Sequence, residues 1–124
     1  MAKEPYFLRL AKGWTPMRMM LKIQMPVEEA NKAIADGRLG KVISSTLDRL
    51  KPEAAYFSTI DGDRGGFFVF DLQNPNDIPS ICEPFFFELH AKVELSPAMT
   101  PEDVKTGLAK AAAFSLVRAS AHSG

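Results

Sequence analysis

The chain has 124 residues, is 46% hydrophobic and 24% charged, and balances 15 basic residues against 15 acidic ones. That size suits one domain with one core, and the composition argues against both disorder and a coiled coil. Zero net charge removes the basic excess on which nucleic-acid and anionic-membrane binders depend.

Cys82 is the only cysteine, so an internal disulfide is ruled out and a reducing compartment fits. No apolar run approaches the ~20 residues of a membrane span. The N-terminus lacks the apolar core of a secretory leader, so the cytoplasm is the expected location. Residues 1–16 read as a loosely docked arm whose Phe7, Leu8, Leu10 and Trp14 can pack elsewhere. Residues 17–119 form the expected domain, and 120–124 a frayed tail.

Met17 to Met25 alternates with period two, which predicts a strand with Met17, Met19, Leu21, Ile23 and Met25 on one face and Arg18, Met20, Lys22 and Gln24 on the other. Pro26 suits the first turn of a helix, and Glu28 and Glu29 favour its positive end. The helical pattern runs from Ala30 to Leu50, with a kink or break expected near Gly37, and Pro52 ends it. Ala54 to Ile60 reads as a second strand. Asp61 to Gly66 reads as a hairpin turn, and Phe67 to Leu72 as a third strand, apolar on both faces and so covered on both sides.

Asn74 and Pro75 open a second helix as cap and first residue. Ile78, Ile81, Cys82, Phe85, Phe86 and Leu89 give its buried face, and Pro84 predicts a kink or interruption. His90 to Leu95 alternates as a fourth strand. Thr100-Pro101-Glu102-Asp103 resembles a capping box with Asp in the acidic place. It opens a last helix carried by Val104, Leu108, Ala112 and Leu116.

The order is β-α-β-β-α-β, an α+β ferredoxin-like arrangement with both helices on one face of a four-stranded antiparallel sheet, plus a C-terminal helix. The open face then carries Phe67 and Val69 among charges, and such a face calls for a partner or a ligand. The simplest partner is a second copy, sheet on sheet.

The pieces PVEEANKAIADGRLGKVI, KPEAAYFSTIDGDRGGFFVFD and EPFFFELHAKVELSPAMTPEDV resemble a family of small uncharacterised bacterial ferredoxin-like proteins. The resemblance covers Met17 to Leu108. More distantly the chain is similar to the dimeric α+β barrel group, which includes muconolactone isomerases, antibiotic-biosynthesis monooxygenases and YCII-like proteins. The resemblance implies a homodimer with its sheets face to face. It carries no activity, because the early histidine of the YCII-like His–Asp pair has no counterpart in the first strand and helix.

Among reactive groups, His90 is a candidate general acid or base, with Tyr56, Arg18 and Lys22 as polar neighbours. The competing reading of His90 is a helix-end residue favoured by the dipole. Asp61, Asp63 and Arg64 read as turn residues, and Cys82 as a small buried hydrophobe. Metal is not expected, since Glu88, His90 and Cys82 would have to converge by chance, and no cofactor is expected.

Phe67, Phe85, Phe86 and Phe87, with Tyr56, are the candidate walls of an apolar pocket. Three consecutive phenylalanines cannot all face one core from a regular helix. The expected function is a homodimeric module that binds a small apolar or aromatic ligand. The alternative is a cofactor-free isomerase or monooxygenase acting in a Phe-lined pocket.

Overall fold

The computed structural model describes residues 16–122, with side chains as far as Ser115. The expected arm, apart from Pro16, lies outside the described residues, as do residues 123 and 124 of the expected tail.

The alternating segment forms strand β1 (Met17–Met25), which buries Met19, Leu21, Ile23 and Met25. The long helical pattern breaks where expected. Helix α1 (Val27–Ala35) and helix α2 (Arg38–Leu50) meet at Gly37, whose φ of 83° only glycine adopts without strain. Strand β2 (Ala54–Ile60) follows as expected.

The hairpin turn is shorter than the sequence suggests. It holds only Asp61 and Gly62, both at positive φ (49° and 82°), as a two-residue turn of the primed type requires. Strand β3 (Asp63–Leu72) therefore includes Gly65 and Gly66. These glycines make room for side chains of β2. A Cβ on Gly66 would stand 2.8 Å from Cδ1 of Phe57, and one on Gly65 would meet the end of Ile60.

A 3₁₀ turn (Pro75–Asp77) precedes helix α3 (Ile78–Leu89), and Asn74 caps it by accepting the Asn76 N–H at 3.0 Å. Pro84 does not interrupt α3. Its missing N–H leaves the Ser80 carbonyl without a helical donor. Arg49 of α2 supplies one from Nη1 at 2.9 Å, and its Nη2 donates to Ser80 Oγ at 3.0 Å. At the other end of α3, Arg38 donates to the Glu88 carbonyl at 2.6 Å, one of the carbonyls every helix end leaves over. Arg49→Ala should cost about 1 kcal/mol in urea unfolding. The loss should shrink in a Pro84→Ala background; strict additivity of the two changes would mean that Arg49 does not serve that carbonyl.

Strand β4 (Lys92–Pro97) starts two residues later than its alternation suggests. His90 belongs to the end of α3 instead, at φ 50°. Helix α4 (Pro101–His122) opens on a reciprocal box: Asp103 N–H donates to Thr100 Oγ1 at 3.1 Å, and Thr100 N–H to Asp103 Oδ2 at 2.9 Å. Every side chain of α4 from Pro101 to Ser115 is exposed.

The strands form one antiparallel sheet in the order β2-β3-β1-β4. Its inner face joins Ala30, Ala33, Val42, Leu50, Ile81, Phe85 and Leu89 of the helices in a single core. The first three helices therefore lie on one side, and among the described residues the other side of the sheet is open.

Candidate functional site

The pleat sorts the central strands by face. Met19, Leu21, Phe68 and Phe70 point into the core, and Arg18, Met20, Lys22, Gln24, Phe67 and Val69 point out. The register draws the outward residues into rows across all four strands. One row runs Tyr56–Phe67–Lys22–Glu94, and the next runs Ala54–Val69–Met20–Ser96.

Phe67, Val69 and Met20 are half-buried, while Tyr56 is 71% exposed. The centre of the face is thus apolar, with a phenol on one side. On the other, Lys22 Nζ stands 4.0 Å from Glu94 Oε2. Arg18 shares the face but is engaged, its Nε donating to Glu53 Oε1 at 2.5 Å. That hydrogen bond, and then the charge of Glu53, hold the guanidinium above its ordinary value. An apolar floor with a hydroxyl and an ammonium at its margins can hold an aromatic surface.

His90 is elsewhere. Its ring is 60% exposed on the helical side, with Nε2 3.8 Å from Glu29 Oε2. The N–H groups of His90 and Ala91 turn back to the carbonyls of Phe86 and Phe85. His90 and Tyr56 therefore lie on opposite sides of the sheet, and one chain does not assemble them into an acid–base pair. His90→Gly should stabilise the fold by about 0.5–1 kcal/mol in thermal or urea unfolding, because glycine takes a left-handed helix end freely. The exposed pair with Glu29 offsets little of that; a loss of stability would show that the imidazole makes a contact of greater weight.

The three consecutive phenylalanines diverge as geometry demands. Phe85 is fully buried, Phe86 is 45% exposed and Phe87 is 78% exposed. Phe86 therefore does not belong to the buried face of α3 where its position in the helical pattern places it. Phe67 and Tyr56 stand on the open face, Phe85 in the core, and Phe86 and Phe87 on the outside of α3, so the five aromatic candidates occupy three places.

Asp63 and Arg64 have structural partners. Asp63 accepts from Gln24 at 3.0 Å and Arg64 donates to Asn31 at 2.9 Å. Burial pushes the Cys82 thiol up, away from the thiolate. The Arg38 backbone and then its side chain hold Asp36 below its ordinary value, and the Thr100 N–H does the same for Asp103. Among the described residues no three His, Cys, Asp or Glu are grouped to hold a metal, and no helix is long and apolar enough to cross a membrane.

Sequence reasoning does not find the groove between α2 and α3. It has about 360 Å³ and is lined by Arg38, Lys41, Val42, Arg49, Pro84 and Glu88. Two of its three cations serve carbonyls of α3, so it reads as a helix seam. The one available signal is Pro84, which implies an orphan carbonyl four residues earlier.

Compared with known proteins, the chain matches no family model, no curated protein and no solved structure.

Proposed function

We propose that the chain is a homodimeric module of the dimeric α+β barrel kind. Two copies stack their open sheet faces and hold a small apolar or aromatic ligand between them. The observation that carries this reading is the open face itself, with Met20, Phe67 and Val69 at its centre and Tyr56 largely uncovered. An apolar centre left half-covered on a sheet face, with an exposed aromatic beside it, calls for a partner or a ligand.

The charges support self-association. Arg18, Lys22 and Lys92 share the face with Asp71 and Glu94, so a two-fold axis can bring opposite signs together. The strand order and the one-sided helices support the ferredoxin-like arrangement that the resemblance of Met17 to Leu108 implies. The lone Cys82 suits a cytoplasmic setting.

Sedimentation equilibrium tests the dimer. The wild type should sediment as a dimer or a larger assembly at micromolar concentration, and Phe67→Lys should halve that mass with unchanged circular dichroism. A monomeric wild type would sink the reading. A thermal-shift screen against small aromatic acids and quinols tests the ligand, since a compound that binds the native state raises its melting point. No shift with any compound would leave assembly alone.

A further inference from the structure

The two edges of the sheet are defended unequally. β4 carries Lys92 and Glu94 and ends in Pro97, and charges and proline are what natural edges use to refuse another strand. β2 reads AAYFSTI, seven residues without a charge, a proline or a glycine. All seven pair with β3 on one side, and among the described residues no strand pairs with β2 on the other. Tyr56, Phe57, Ser58 and Thr59 are all exposed.

We infer that β2 is a pairing edge for β2 of a second copy, antiparallel about a two-fold axis near Tyr56 and Phe57. The charges at its ends select that occupant. Lys51 lies just before the strand and Asp61 just after it, both exposed and neither with a side-chain partner among the described residues. Antiparallel pairing sets Lys51 of each copy beside the partner's Asp61. Glu53, the other charge at that end, is already tied to Arg18. The pairing also closes on itself: it consumes both β2 edges and leaves only the two guarded β4 edges. It leaves the open face free, so it is independent of face-to-face stacking, and the two together give a tetramer.

Residue-resolved amide hydrogen exchange across a dilution series tests it. The β2 amides that do not bond to β3 should be protected at high concentration and exchange at least about tenfold faster on dilution. Ser58→Lys with Thr59→Lys should abolish that protection and raise the dissociation constant of the pair about tenfold or more, since lysines on an edge strand oppose the addition of another strand. Lys51→Glu, outside the strand, should weaken the pair without altering circular dichroism. Phe67→Lys should leave the β2 protection in place.

Three results would overturn the inference. The first is outward β2 amides that exchange at one rate at every concentration. The second is protection lost in Phe67→Lys but kept in the double lysine variant. The third is protection that arises only when a foreign extended peptide is added.

Discussion

Phe68→Ala should remove about 3–5 kcal/mol of stability, the largest loss expected from any single truncation in this chain. Phe68 is fully buried at the centre of β3. Its ring meets Phe57 edge-on at 5.7 Å and Phe85 at 6.3 Å with a 50° tilt. Those two contacts join the β2 edge, the middle of the sheet and α3. The void left by alanine cannot collapse easily, because β3 is held by a strand on each side. Domains of this size are stable by only ~5–15 kcal/mol, so the variant should unfold at a much lower urea concentration with an unchanged slope. A loss under about 1 kcal/mol would mean that neighbouring side chains fill the space, and that Phe68 is not the pivot its contacts suggest.

Gly65→Ala should cost about 2 kcal/mol, through the opposite fault of too much material. Its Cβ would stand 2.8 Å from the Ile23 carbonyl oxygen and closer still to the end of Ile60. Ile60 can swing away. The Ile23 oxygen cannot, because it belongs to the backbone of the central strand next to β3. Gly40→Ala is the control: nothing lies within 4 Å of its Cβ position, and it sits in a helix, so it should stabilise by about 0.5–1 kcal/mol. Equal effects at the two glycines, read by urea unfolding, would show that the close approach at Gly65 relaxes at little cost.

Gly65 also shows where sequence reading stops. β1 is legible residue by residue, because period two over nine residues has one physical meaning. The break at Gly37 and the box at Thr100 and Asp103 are legible because their chemistry is local. The glycines after Asp61 look like turn residues, yet Asp61 and Gly62 complete the turn. Gly65 and Gly66 are spaces in a strand for Ile60 and Phe57, a fact about the neighbouring strand and not about the turn. Alternation alone likewise extends β4 back to His90, since no pattern of polarity reports a left-handed backbone.

The candidate site was half legible. Alternation separates Phe67, Val69 and Lys22 from the core, and the register then sets them in rows with Tyr56 and Glu94. The pocket expected of Phe67 with Phe85, Phe86 and Phe87 draws on residues that the fold sends to different sides. Arg49 is silent in the sequence, because its partner Ser80 lies 31 residues away.

Helix α4 has a consequence for how the protein should melt. Its described side chains are all exposed. Alanine-rich propensity and the Thr100–Asp103 box support it locally, and none of its described side chains belongs to the core. Such a segment frays gradually on heating, whereas the sheet and its three covering helices should give way together. Far-UV ellipticity should begin to fall before the tyrosine near-UV signal moves, and the two midpoints should differ. A single all-or-none transition would then describe the body of the molecule and misdescribe the whole.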